Sequence, residues 1–331
     1  MEVVSKAPLG ELAEDWCRAK AVSDRSTSGN TAKARRTDLA RWGRTLRLVR
    51  GRPVDEDARL DLELDLEGLT PADLSVETMV RALEVIRGSY KPSSTQRLLS
   101  NMRGFCRWLS TAGYMDSSPF DSELLDVRVT SELTVRAFSV DDVAAMLEAA
   151  GQPDPKLRSA WSARDVALVD LLASTGVRSS ECVALQVGDL AGADRPVLLI
   201  RRATKSGKRR EVPIPRRTMA NMDAYLGERR ELGVRCGPRT PLLVTKEGAA
   251  LTNDALYYRV KRIARSSGAV LPDDAMVHGL RHHFGLQLAL RGVPPATLQQ
   301  LMGHSDPRTT AVYTRHASFD LINALDDAGW L

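Results

Sequence analysis

Residues 278–314 open with His278-Gly279-Leu280-Arg281-His282-His283, continue through Leu301-Met302-Gly303-His304-Ser305-Asp306, and close with Thr309-Thr310-Ala311-Val312-Tyr313-Thr314. On a helix, His278 and Arg281 stand one turn apart and share a face. His278 and His282 are also at i, i+4, the spacing of a zinc-binding pair. Against zinc, Gly279 stands where a zinc protease carries its glutamate base, and no cysteine or carboxylate motif nearby offers a third ligand. His304 follows a Gly turn, and Tyr313 comes later in a β-branched setting. A lone tyrosine is ordinarily a half-buried packing residue, so its neighbours along the chain decide what it means.

Upstream stand two further patterns. In Ser174-Thr175-Gly176-Val177-Arg178-Ser179-Ser180-Glu181 a glycine ends one helix, an arginine sits just past it, and Glu181 is placed to orient that arginine. In Thr204-Lys205-Ser206-Gly207-Lys208 two lysines share a turn between β-type runs, Val197 to Arg202 and Arg210 to Ile214, with Pro213 marking an edge. Taken singly, each is commonplace: a surface arginine near a cap, and solvated lysines on a turn.

The rest of the chain supplies the frame. At 331 residues, two domains are expected, and 43% hydrophobic residues are enough for globular cores. The first third reads as helices. Glu11 to Lys20 places Leu12, Trp16 and Ala19 on one face; Asn30 or Thr31 caps a second helix through Leu48, with Leu39, Trp42 and Leu46 inward. The acidic stretch from Asp55 to Glu67 fits loop or strand. A third helix is expected to start after Thr70 with Pro71 in its first turn, and a fourth runs from Ser93 to Thr111 on Leu98, Met102, Phe105 and Leu109. The periodicity fails after Gly113, and Ser139 with Asp142 forms a helix cap that opens a larger domain. The expected organisation is a helical domain over 1–115, a linker over 116–135 and a second domain over 136–331. The fold class is mainly α with a small antiparallel sheet.

Net charge is +5, and the basic residues come in bursts. One run holds Lys33, Arg35, Arg36, Arg41, Arg44, Arg47, Arg50 and Arg52; another holds Arg201, Arg202, Lys205, Lys208, Arg209 and Arg210. Such runs suit an anionic partner or a solvated face. On the fourth helix, Gln96, Arg97, Ser100, Asn101 and Arg103 form a polar face able to meet base edges and phosphates. With Arg35, Arg36, Arg202 and Lys208 they are the candidate DNA contacts. Cys17, Cys106, Cys182 and Cys236 make no C-x-x-C pair, which argues against a disulfide framework and suits a reducing compartment. No apolar run approaches the ~20 residues that cross a bilayer, and the N-terminus lacks a secretory leader pattern. The expected location is the cytoplasm, with the nucleoid.

The order Arg…Lys…His-x-x-Arg…His…Tyr closely resembles the tyrosine recombinase (phage integrase) family, as do Thr-Gly-x-Arg-x-x-Glu, Leu-Arg-His and Gly-His-Ser around it. The resemblance covers the second domain, and the first third looks like that family's core-binding domain. It implies a C-shaped clamp on DNA in the stand-alone Xer/Cre-like form, without an arm-binding domain. Carried over residue by residue, the catalytic set is Arg178, Lys205, His278, Arg281, His304 and Tyr313, with Lys208 as the alternative lysine. Arginines clamp the non-bridging oxygens of an attacked phosphodiester as permanently charged forks. His304 adds a donor; losing one donor of such a cradle typically costs ~3–4 kcal/mol. A phenol of pKa near ~10 needs help to ionise, and His278 is the candidate to take its proton. Lys205 would protonate the leaving 5′ oxygen. The implied product is a 3′-phosphotyrosyl intermediate formed without metal, ATP or cofactor. The sequence shows neither a phosphate-binding loop of the G-x-x-x-x-G-K-[ST] type nor a carboxylate cluster for magnesium. The implied partners are double-stranded DNA with a specific site and further copies in a tetramer, with room for an accessory DNA-bending protein. After Tyr313, Phe319, Ile322, Leu325 and Ala328 suggest a C-terminal helix that packs at home or on a neighbouring protomer. The rival readings are a type IB topoisomerase-like enzyme, a non-catalytic DNA-binding relative, and a metal-dependent hydrolase on His278 and His282.

Overall fold

Helical periodicity builds the first of two units. The structure, a computed structural model, describes residues 5–23, 29–55, 57–126, 136–152, 161–192, 194–202, 209–269 and 276–315, with the side chains of 29 and 30 excepted. One unit lies within Met1–Glu132 and the other within Leu133–Leu331.

In the first unit, α1 (Leu9–Ser23) buries Leu12 and Trp16, and α2 (Gly29–Val49) buries Leu39, Trp42 and Leu46. Ala19, expected inward, is exposed, because the buried stripe of α1 ends at Cys17. The ambiguous acidic stretch holds a one-turn helix, α3 (Leu62–Asp65), capped by the Asp61 carboxylate, which accepts from the Glu63 and Leu64 amides at 3.0 and 3.1 Å. Gly43 lets α2 lie against it, since a Cβ there would sit 2.7 Å from the Asp65 carbonyl. Thr70 and Pro71 open only a 3₁₀ turn, Pro71–Asp73, closed by the Asp73 carboxylate on the Thr70 amide. A second cap follows at once: Ser75 accepts from the Thr78 amide at 3.3 Å and starts α4 (Val76–Ser89). Leu98, Met102, Phe105 and Leu109 of α5 (Pro92–Thr111) are all buried, and Trp42 donates to the Leu98 carbonyl at 3.0 Å. Truncating Trp42 or Phe105 in such a core costs about 3–5 kcal/mol. Leu125, within the stretch read as linker, is fully buried in this same core.

In the second unit, Ser139 and Asp142 exchange hydrogen bonds at 2.9 and 3.0 Å and open α6 (Val140–Gly151). It packs on α7 (Ser162–Thr175), whose Leu168, Val169, Leu171 and Leu172 are wholly buried. A helix apolar on so many sides is a central one, and it is followed by the short α8 (Ser179–Val183). Three antiparallel strands come next in the order β1 (Leu190–Ala191), β2 (Val197–Ile200) and β3 (Arg210–Pro213). Pro213 lies on the edge strand, opposite Val197. Both foreseen strands are shorter than their sequence runs, ending at Ile200 and Pro213. The two-residue β1 has no periodicity to read. The lysine turn around Ser206-Gly207 lies outside the described residues. The chain continues through α9 (Arg216–Glu231), α10 (Asn253–Ser266), α11 (Met276–Leu290) and α12 (Pro295–Met302) to helical residues 308–315. The expected C-terminal helix also lies outside the described residues. Among the described residues, no helix is long and apolar enough to cross a membrane.

Candidate active site

Two left-handed glycines end the helices on which the site is hung. Gly176 (φ 58°) closes α7, and a Cβ there would meet the Phe284 ring at 2.3 Å. Gly303 (φ 64°) closes α12, where a Cβ would lie 2.8 Å from Arg210. Neither position admits a side chain without displacement.

Arg281, only 4% exposed on α11, places its guanidinium against both of these helix ends, donating to the Gly176 carbonyl and, at 2.6 Å, to the Met302 carbonyl. Helix C-termini carry partial negative charge and hold a cation well. Burial, then the neighbouring Arg178 charge, lowers its pKa to about 10, so it stays cationic at neutral pH. Arg178 follows the Gly176 cap. Its backbone amide and Nη1 donate to the Glu181 carboxylate at 2.9 and 2.8 Å, and its Nη2 donates to the Gly303 carbonyl at 2.7 Å. Burial works against the charge on Glu181, but Arg210 and then Arg178 prevail and hold its carboxyl below the ordinary range.

The histidines and the tyrosine meet above this floor. Tyr313 is 2% exposed, and its Oη lies 2.7 Å from His282 Nδ1. Burial pushes the phenol up to about 12, against the pull of Arg281 and Arg178. Burial, then His278 and Arg281, pushes His282 down to about 4. At neutral pH both groups are therefore uncharged, and the tautomer of His282 that leaves a lone pair on Nδ1 accepts from the phenol. The Tyr313 ring lies parallel to that of His304, centroids 6.3 Å apart, and packs on Gly285, where a Cβ would come within 2.8 Å of it. His304 accepts or donates through Nδ1 at 2.9 Å from the Thr310 hydroxyl. Burial, then the arginine charges, brings its pKa to about 4, so it too is neutral.

His278, expected to take the phenol proton, lies one turn earlier on α11, its ring centroid 6.3 Å from that of His282. Part of its surface is open to solvent, and its pKa is lowered by desolvation and then by Arg281 and Arg178. The structure thus brings Arg178, His278, Arg281, His304 and Tyr313 together, and Lys205 and Lys208 lie outside the described residues. Sequence reading missed His282 as the partner of Tyr313, having weighed it as a zinc ligand and as part of the Leu-Arg-His pattern, and gave no role to Arg210, Thr310 or Gly285. Among the described residues, no group of three His, Cys, Asp or Glu side chains is arranged to hold a metal ion.

The candidate DNA contacts divide. Arg97 donates twice at 2.8 Å to Asp38, a wholly buried carboxylate, and Asn101 donates to the same group at 2.7 Å. Arg36 pairs with Glu14, Arg103 donates to the Leu125 carbonyl and lies over the Phe120 ring, and Arg202 pairs with Asp189. Arg35 is partly buried, whereas Gln96 and Ser100 are exposed. The polar face of α5 is thus in part an internal brace for α2.

Residues 136–318 match the sequence profile of the phage integrase family. The chain belongs to that family of tyrosine recombinases. The tyrosine recombinase XerD of Mycobacterium leprae is 30% identical over 300 residues, covering 88% of this chain and 89% of the relative. That of Pseudomonas putida is 32% identical over 228 residues, covering 69% and 72%. This recombinase also shares its fold with a XerH site-specific recombinase solved bound to its difH substrate after cleavage, with a TM-score of 0.71 over 98% of each chain at 17% identity. It is an enzyme of site-specific DNA recombination.

Proposed function

We propose that this recombinase cleaves duplex DNA at a specific site with Tyr313 and rejoins the strand to a new partner. The observation that carries the reading is the 2.7 Å hydrogen bond between Tyr313 and a neutral His282, beside Arg178 and Arg281. The tyrosine oxygen bonds to phosphorus, its proton passing to the histidine pair of α11, with His278 as the solvent-facing member. The bond from phosphorus to the 5′ oxygen breaks, and Lys205, or Lys208 on the same turn, protonates the leaving oxygen. Arg178, Arg281 and neutral His304 donate to the non-bridging oxygens as their charge grows. The product is a 3′-phosphotyrosine and a free 5′-hydroxyl; attack by another 5′-hydroxyl reverses the step, so the bond energy is kept and neither ATP nor metal is needed. Because the phenol is buried, it leaves its packing on Gly285 before it reaches a phosphate.

The wider assignment follows the family. Residues 1–115 grip the core site and 136–331 carry the chemistry, in a homotetramer on two duplexes in the cytoplasm. Neighbours such as a lambda integrase dimer solved on a core site support DNA as the partner. Exposed Gln96 and Ser100 are the better candidates for reading bases, with Arg97 and Asn101 holding the helix that presents them. The test begins with sites selected by the protein from a random duplex library, rebuilt with a nick and incubated in EDTA. A slow-migrating covalent band on a denaturing gel, absent in Tyr313→Phe, is expected. A band that persists in that variant, or one that requires metal, overturns the tyrosine assignment. Relaxed circles without rejoined partners would make the enzyme a topoisomerase.

A further inference from the structure

We propose that Arg210, a residue to which the catalytic pattern gives no role, is a positioning residue that keeps Arg178 free to hold phosphate; this rests on the reading of Arg178 as part of the phosphate cradle. Arg210 opens β3 and is largely buried, its side chain 10% exposed. Its Nη1 and Nη2 donate to the two oxygens of Glu181 at 2.9 and 2.7 Å, and its Nε donates to the Leu301 carbonyl at 2.9 Å. Glu181 in turn holds Arg178, and Arg178 reaches back to the Gly303 carbonyl, two residues from Leu301. The hydrogen bonds close a ring that ties the start of α8, the end of α12 and the first residue of β3.

The charges explain what the ring does. Glu181 has no side-chain exposure, and two guanidiniums share its one carboxylate. With Arg210 engaging both oxygens, the carboxylate is already balanced and needs only one side-chain bond from Arg178 to orient it. Take Arg210 away and a buried anion faces Arg178 alone. It would then draw in the fork and cancel the charge that an incoming phosphate must meet. Arg210 also packs against Gly303, where a Cβ would lie 2.8 Å from its Nη1, and so fixes the turn that leads into His304. It contributes to the chemistry through Arg178 and His304 and not by contact with substrate.

The test compares wild type, Arg210→Gln and Arg210→Lys on the nicked duplex, reading the rate of adduct formation at saturating DNA, the DNA Kd and the melting temperature. A second substrate carries a methylphosphonate at the cleavage position, which removes the non-bridging negative charge and with it the need for a strong cationic clamp. Arg210→Gln should slow adduct formation roughly 10- to 100-fold, less than loss of a direct donor, with Kd within about threefold because phosphates elsewhere supply most affinity. Arg210→Lys should recover part of the rate, and the defect should shrink on the methylphosphonate. Wild-type rate in Arg210→Gln overturns the inference. So does an equal loss on both substrates, which would mark a structural role only. Should Tyr313→Phe still form an adduct, the tyrosine reading itself has failed, a result distinct from either of these.

Discussion

In the proposed phosphate cradle, His304 illustrates how one hydroxyl can decide what a side chain does. Held near pKa 4, its imidazole carries a single proton at neutral pH, and only the nitrogen bearing that proton can donate to phosphate. Nδ1 faces the Thr310 hydroxyl, so a proton donated by Thr310 places the ring proton on Nε2, the nitrogen left for substrate. Thr310→Val, which keeps the shape and removes the donor, should lower the rate of adduct formation by about tenfold, whereas Thr310→Ser should retain it. Equal rates in the two variants would show that the hydroxyl does not set the tautomer. The spacing of Arg178, Arg281, His304 and Tyr313 was legible because each sits in a short local pattern. The contacts of Tyr313 with His282 and of Arg210 with Glu181 were not, because they join residues 31 and 29 positions apart through tertiary packing.

The helix α11 does two jobs with one face, and glycine makes them compatible. His278, Arg281 and His282 belong to the site, while Gly285, one turn on, leaves the space that the Tyr313 ring fills. A methyl group there would come within 2.8 Å of the ring and 3.0 Å of the Met302 sulfur, so the ring has to shift to admit it. Gly285→Ala should therefore push Tyr313 out of its slot: nitration by tetranitromethane, mapped by mass spectrometry, should modify Tyr313 in the variant and spare it in the parent. Protection in both would mean that the ring finds room without leaving. Elements of this length were read correctly where an apolar stripe repeats, as in α5. The reading failed at Thr70, where one capping pattern is followed five residues later by another and the chain uses the second for its long helix. It failed also at β1, where two residues are too few for any period.

On the scale of the whole molecule, the site leaves a signature in stability. The second unit keeps His282 and His304 near pKa 4, and His278 and His283 below their ordinary value, whereas the unfolded chain titrates them near the ordinary value of 6.5. Between these values the unfolded state binds more protons, so the stability they contribute is present above about pH 6.5 and is lost as the pH falls through 4. Tyr313 acts in the opposite sense: raised from 10 to about 12, it contributes stability that is full below pH 10 and fades as the pH rises through 12. The melting temperature of the DNA-free protein should thus be level from about pH 7 to 9.5 and fall toward pH 4, less steeply in His304→Asn. A transition indifferent to acid down to pH 4 would contradict the buried, neutral state of these rings.

On the proposed reading of Tyr313 as the nucleophile, its packing at 2% exposure and a phenol pushed up to about 12 keep it silent toward stray phosphodiesters. Recognition and scission then become separate decisions. A sequence can be occupied tightly and left intact, and the one that is cut is the one whose complex can afford to turn Tyr313 out. The fidelity of this recombinase would therefore be written in the energy needed to unpack one aromatic ring, and its binding preferences and its cutting preferences need not coincide.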